Sequence, residues 1–175
     1  MLEIGTGSGC LSITLAHCFP QWDIHAYDIS SSALRIARQN AYRHRCRNVH
    51  FHRGNVFDEH FLQHNSFDLI ISNPPYISPA EIPHCDRGIF HEPSIALFAH
   101  PPLKFYSTII ERACQGWLNA DGYLVFECSP FNVDQIRQHI LSKSDHFDDP
   151  RIRFDQNERP RVISAKKLTN KLYSE

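Results

Sequence analysis

No run of apolar residues in this 175-residue chain is long enough to cross a bilayer. The first residues, MLEIGTGSGC, have neither the basic nor the apolar region of a secretory signal. An excess of charge of either sign is also missing, since 18 Lys and Arg face 19 Asp and Glu for a formal net charge of −1. That balance gives no sign of a polybasic nucleic-acid binder or an acidic tail. The six cysteines (Cys10, Cys18, Cys46, Cys85, Cys114 and Cys128) include no CxxC pair and match no common zinc spacing. Cys10, Cys18 and Cys114 fall on helix-like stretches, where small buried thiols are common. Repeats and low-complexity tracts are absent. The 12 histidines turn the net charge positive below neutral pH. His50 and His52 alternate along a strand and His84 adjoins Cys85, but without a matched ligand cluster no metal is expected. The expectation is a cytoplasmic protein in a reducing compartment, with no membrane partner.

What is present is an alternation of strands and helices. Residues 1–4 read as a short strand, 23–28 as a second, 48–53 as a third, 67–72 as a buried fourth and 123–128 as a buried fifth. Helical spacing of apolar residues runs through 8–19, from Ser30–Ser32 to about Arg45, over 102–118, and over 131–143. Residues 73–101 are rich in proline and read as a long loop. Two short strands near 151–155 and 161–167 flank QNERP, too close for a crossover helix, and are expected to form an antiparallel hairpin. The fold class is α/β, a mainly parallel sheet with helices on both faces and that hairpin at the carboxyl end. A hydrophobic fraction of 42% and 175 residues suit one domain, residues 1–175. Met1 lies inside the first strand, so this domain is expected to be incomplete at its amino terminus.

Residues 3–9, EIGTGSG, join the first strand to a helix. Gly5, Gly7 and Gly9 permit a tight turn and close backbone approach to a ligand. The spacing G-x-G-x-G is neither the G-x-G-x-x-G of dinucleotide sites nor a P-loop. It fits the loop of S-adenosylmethionine-dependent methyltransferases. Asp28, about 20 residues on, ends the second strand at the spacing where a carboxylate meets ribose hydroxyls; capping the next helix is the competing role. Asn55 and Val56, after the third strand, suit the amine and the face of an adenine, unless Asn55 only makes a turn.

The fourth strand ends in SNPPYIS, residues 72–78. An amide nitrogen is a poor nucleophile because its lone pair is delocalised. The Asn73 side-chain oxygen and the Pro74 carbonyl can accept both N–H bonds of such a nitrogen and offset the positive charge that grows on it. Pro74 and Pro75 stiffen the loop, and Tyr76 can pack on a planar target.

The order of GTGSG, YD, NPPYIS, HEPSIALFA (91–99), FY (105–106) and LNADGYLVFE (118–127) resembles the glutamine methyltransferases of peptide-chain release factors, the PrmC/HemK family in bacteria. The resemblance implies a Rossmann-like class I methyltransferase with S-adenosyl-L-methionine as cofactor. The implied acceptor is the glutamine of the GGQ motif of a release factor, the implied partner. It implies cofactor contacts from Glu3, Gly5, Thr6, Gly7, Gly9, Asp28, Ile29, Asn55, Val56 and Asn73. Catalytic and substrate contacts come from Asn73, Pro74, Pro75 and Tyr76, with Glu92 and Pro93 shaping the substrate side. The chain departs from the family in having Asn55 where an acid is usual. It reads Glu127-Cys-Ser129-Pro-Phe-Asn132 in place of E-x-G-x-x-Q, and the family's amino-terminal helical domain is not expected within residues 1–175. Behind the glutamine methyltransferase stand a shortened domain that folds without turning over and, third, an adenine-amine methyltransferase. The third needs a basic surface beside the crevice, for which Arg43, Arg45, Arg47 and Arg53 are candidates.

Overall fold

Seven strands make one sheet: β1 (Leu2–Ile4), β2 (Ile24–Asp28), β3 (Val49–Arg53), β4 (Phe67–Ser72), β5 (Leu118–Glu127), β6 (Arg151–Phe154) and β7 (Pro160–Lys166). The computed structural model describes residues 1–62, 66–77, 81–84, 88 and 93–169. The strand order is β3-β2-β1-β4-β5-β7-β6. The first five strands pair in parallel, while β7 lies antiparallel to both β5 and β6. This is the parallel sheet with a carboxyl-terminal hairpin that the strand–helix alternation predicts. The hairpin turns inward, so its second strand, β7, lies between β5 and β6.

Five α-helices are described: α1 (Cys10–Cys18), α2 (Ser31–Arg43), α3 (Ser94–Leu97), α4 (Lys104–Arg112) and α5 (Val133–Leu141). Strand alternation at β1 shows that they cover both faces. Glu3 bonds to Ser12 of α1, whereas its neighbours Leu2 and Ile4 join the core cluster that holds Tyr106 and Ile109 of α4. Helix α2 begins where the serine run predicts, with the Ser30 hydroxyl accepting from the Ala33 N–H at 3.2 Å. Its stripe of Leu34, Ala37 and Ala41 is buried.

Three expectations are refined. The proline-rich segment contains a 3₁₀ turn (Ile82–His84) and the short α3. The helix expected over 102–118 ends as a π turn, Ala113–Trp117, with Gly116 at φ 129°. Cys10 and Cys18 are exposed, because the buried positions of α1 are Ser12, Ile13 and Ala16. Cys85, the neighbour of His84, lies outside the described residues.

Candidate active site

A cavity of about 800 Å³ opens at the carboxyl ends of β1 to β4, within the size range of small-molecule sites. Its first wall is the loop between β1 and α1. Gly5, Gly7 and Gly9 have φ of 78°, 57° and 80°, the left-handed region that favours glycine. The Gly5 and Thr6 N–H groups donate to the Tyr27 carbonyl at 2.9 and 3.0 Å, pinning the loop to β2. A Cβ on Gly7 would meet nothing within 4 Å, and Gly5 and Gly7 both line the cavity. Gly9 does not; a Cβ there would sit 3.1 Å from Ala37 Cβ and from Ile13 Cδ1, so this glycine lets α1 pack.

Glu3 and Thr6 stand behind the loop rather than in the cavity wall. The Glu3 carboxyl is buried and accepts from the Thr6 hydroxyl at 2.8 Å and from the Ser12 hydroxyl. Burial pushes its pKa up to about 7, against the opposing effect of those hydrogen bonds. Their contribution to a ligand therefore runs through the shape of the loop.

Asp28 lines the cavity, and its carboxylate accepts the Gly7 N–H at 2.8 Å and the Ser30 N–H at 2.8 Å. The cap of α2 is Ser30, so Asp28 does not serve as that cap. Ile29, Asn55 and Val56 line the same cavity. The Asn55 side chain makes a turn, accepting from the Phe57 N–H at 3.1 Å, and its NH₂ has no partner among the described residues.

Asn73, Pro74, Pro75 and Pro93 form the opposite wall. The exposed Asn73 side chain makes no hydrogen bond among the described residues. A Cβ on Gly5 would lie 3.8 Å from the Asn73 carbonyl, so the glycine loop and the NPPY loop nearly touch. The Ser72 hydroxyl fixes that approach by donating to the Ile4 carbonyl at 2.7 Å. Ile77 N–H donates to the Leu97 carbonyl at 2.9 Å, holding the NPPY loop to α3. Tyr76 does not line the cavity: its hydroxyl donates to Glu127 Oε1 at 3.3 Å, beneath the loop. Burial, and then Glu127, push the Tyr76 pKa up to about 12, and burial raises that of Glu127. Glu92 lies outside the described residues.

Phe57 and Phe61, from the segment after β3, line the cavity and carried no sequence signal; Tyr27 of β2 and Phe105 of α4 also line it, and belong to the YD and FY motifs, in which neither was given a role. Phe57 packs on Phe105 with ring centroids 4.8 Å apart, and Tyr27 on Phe61 at 4.7 Å. After β5, Ser129 and Asn132 are buried. The Ser129 hydroxyl donates to Glu81 Oε1 at 3.0 Å, while its N–H donates to Asn132 Oδ1 at 2.8 Å. Arg43 ends α2 and Arg45 and Arg47 follow it, at the edge of the sheet away from the cavity, and Arg53 alone ends a strand beside it. Among the described residues no group of three or more His, Cys, Asp or Glu is placed to hold a metal ion. No helix there is long and apolar enough to cross a membrane.

Residues 1–145 match the family model described as a methyltransferase domain. The chain belongs to the methyltransferase domain family. Among curated proteins, this methyltransferase is 36% identical to a release factor glutamine methyltransferase of Bacteroides thetaiotaomicron, over 94% of this chain and 59% of that protein. It is 34% identical to a protein of the same name from Chlorobaculum tepidum, over 94% of this chain and 56% of that one. It is 41% identical to a bifunctional methyltransferase of Rickettsia bellii, over 81% of this chain and 25% of that protein. The chain thus spans little more than half the length of the first two. The names of these relatives agree with the family that NPPYIS and HEPSIALFA resemble.

Solved structures agree on the fold. A methyltransferase from Pyrococcus furiosus superposes with TM-score 0.68 at 18% identity, covering 96% of this chain and 74% of the other. A precorrin-6y C5,15-methyltransferase from Geobacter metallireducens gives 0.62 at 15%, covering 95% and 80%. So different a name on the same sheet shows that the fold does not fix the acceptor.

The cofactor of this methyltransferase is S-adenosylmethionine, and the cavity fits it. Gly5 and Gly7 leave the backbone open to a ligand, Asp28 offers acceptor oxygens for hydroxyls, and Val56, Phe57 and Ile29 supply apolar walls for a base.

Proposed function

We propose that this methyltransferase modifies the side-chain amide nitrogen of a protein glutamine, that of the GGQ motif in peptide-chain release factors. The observation that carries the reading is Asn73: an exposed carboxamide, free of hydrogen bonds among the described residues, on the cavity wall facing the glycine loop. The names of the relatives supply the acceptor.

S-adenosylmethionine, when bound, supplies an already activated methyl group. The protein's task is then to present the amide. Asn73 Oδ1 and the Pro74 carbonyl accept its two N–H bonds, which orients the nitrogen and stabilises the positive charge that develops there. Pro75 keeps the loop stiff, and Pro93 borders the acceptor side with Pro74. Tyr76 acts from beneath the loop, tied to Glu127, rather than stacking on the target from the cavity. No general base is required, because the proton leaves after the nitrogen has become cationic. Residues 1–175 serve as the catalytic domain in this reading, and an acceptor used in translation termination places the enzyme in the cytoplasm.

The test is incubation of the chain with S-adenosylmethionine and a GGQ-containing release factor, read by peptide mass spectrometry. One added methyl group on the GGQ glutamine is the expected result. A chain that binds S-adenosylmethionine yet leaves the glutamine unmodified overturns the acceptor assignment.

A further inference from the structure

Six arginines have no part in the site described above. Residues 29–57 contain Arg35, Arg38, Arg43, Arg45, Arg47 and Arg53, and no Lys, Asp or Glu. This stretch is strongly cationic in a chain whose net charge is −1. It builds α2 and β3, at one edge of the sheet. All six arginines are exposed, and among the described residues none is ion-paired with a carboxylate. Toward the other edge the arginines are mixed: Arg137, Arg159 and Arg161 each meet an aspartate, at 3.4, 3.1 and 3.1 Å, while Arg151 and Arg153 of β6 are exposed and in no ion pair among the described residues.

The exposed cations form a track. Arg35, Arg38 and Tyr42 follow at intervals of three and four, which places them along one side of α2, and Arg45 lies just beyond its carboxyl end. From Arg35 to Tyr42 the helix rises about 10 Å. Two of the arginine heads are anchored. Arg38 Nη2 donates to the Phe51 carbonyl at 2.9 Å and Arg53 Nε to the Ile29 carbonyl at 3.3 Å, leaving the other N–H groups free. Tyr42 stands between these cations at 86% exposure, the highest among the exposed large apolar side chains.

Ordinary structural needs cover only part of this. A cation in the last turn of a helix answers the helix dipole, which accounts for Arg43. A charged residue on an edge strand guards against edge pairing, which accounts for Arg53. Neither asks for Arg35, for the exclusion of every acid from 29–57, or for an uncovered aromatic ring among guanidiniums.

We infer that the α2–β3 face is a docking surface for single-stranded nucleic acid, separate from the catalytic cavity. Guanidinium groups bind phosphate through paired N–H donors, which a carboxylate partner also satisfies. The ring separates the two. A base stacks on an exposed tyrosine, while an acidic polypeptide has no group that requires one. The surface runs from Arg53, beside the cavity, to Arg45 and Arg47 at the far edge of the sheet. It therefore anchors a strand without presenting a base to Asn73.

The test measures fluorescence anisotropy of a labelled single-stranded RNA of about twenty nucleotides, and a DNA of the same sequence, over a salt series starting near 50 mM. Wild-type protein should bind saturably. Arg35→Gln with Arg45→Asn, the asparagine chosen for the positive φ at position 45, should weaken binding at least tenfold. The slope of log affinity against log salt should fall by about 1.4, or about 0.7 for each phosphate no longer neutralised. Tyr42→Ala should weaken binding about fivefold or more while leaving the slope unchanged. Equal binding of RNA and DNA assigns the ligand to the shared phosphodiester strand, and tighter RNA binding adds the 2′-hydroxyl. Failure of wild type to bind overturns the inference. So do variants that keep wild-type affinity, or displacement of the RNA by polyglutamate of matched charge, which would assign the face to acidic polypeptides. Unchanged S-adenosylmethionine affinity and melting temperature in the variants show that lost binding is not lost folding.

Discussion

Asp28 links two backbone amides that belong to different walls of the cavity: Oδ2 accepts the Gly7 N–H at 2.8 Å and Oδ1 the Ser30 N–H at 2.8 Å. One carboxylate thereby ties the glycine loop to the start of α2, and each oxygen keeps capacity for a second donor. Asp28→Ala should weaken S-adenosylmethionine binding by about 1–3 kcal/mol, the cost of losing charge-assisted hydrogen bonds. Titration calorimetry reads this directly. An unchanged dissociation constant would leave Asp28 only its tie to the loop.

Asn73 separates binding from transfer. Its side chain is bonded to nothing else among the described residues, so Asn73→Ala disturbs little of the fold. Methyl transfer to the release factor should drop at least a hundredfold, in keeping with the removal of a hydrogen bond made in the transition state. Cofactor affinity should stay within about threefold. Parallel loss of both would move Asn73 from the acceptor to the cofactor.

The glycines of the loop should not respond alike. At Gly7 a Cβ has free space, so Gly7→Ala costs only backbone strain of about 1–2 kcal/mol. At Gly9 the same strain is joined by close approaches at 3.1 Å to Ala37 and Ile13 and at 3.3 Å to a Phe51 ring atom. Urea unfolding should show Gly9→Ala as the less stable variant. Equal stabilities would mean that α1 shifts freely against α2.

The buried Glu3 predicts a pH-dependent stability. Its folded pKa, about 7, lies above the ordinary 4.5, so the native state holds the proton more tightly. Stability should therefore fall as pH rises from about 4.5 to about 7 and stay level above that, by an amount on the order of 3 kcal/mol. Glu3→Gln removes this titration. His52 and His139, whose pKa values burial lowers, work in the opposite direction, but equally in both proteins. The difference between wild type and Glu3→Gln across pH 5 to 8 isolates Glu3, and a flat difference would show that the carboxyl is solvated.

The sequence displayed what depends on local chemistry. Gly5 and Gly7 need a positive φ, Ser30 caps a helix, and Asn73 follows a buried strand, so each was legible within a few residues. The walls were not. Phe57 and Phe61 reach the cavity from the segment after β3, and their apolar character looks the same as core; Ile95 and Phe105 sit in recognisable motifs, but nothing local shows that they face the cavity. The family resemblance implied a cofactor contact from Glu3, and strand alternation turns its carboxyl toward Thr6 and Ser12, behind the glycine loop. Tyr76 likewise follows two cavity-lining prolines and turns under the loop to Glu127. Ser129 and Asn132 depart from the family's usual residues, and only the fold shows that Glu81 answers the serine.

The inward turn of the hairpin has a consequence for biosynthesis. Residue 127 closes β5, but the partner of its outer edge, β7, ends at residue 166. Ribosomal synthesis at roughly 5–20 residues per second leaves that edge open for several seconds. Through that interval a row of unpaired N–H and C=O groups flanks buried Leu124 and Phe126, which is the surface that recruits other nascent chains. Aggregation during translation should thus depend on how quickly Arg161 to Lys166 emerge, and slow codons between β5 and β7 would prolong the exposure without changing a single residue.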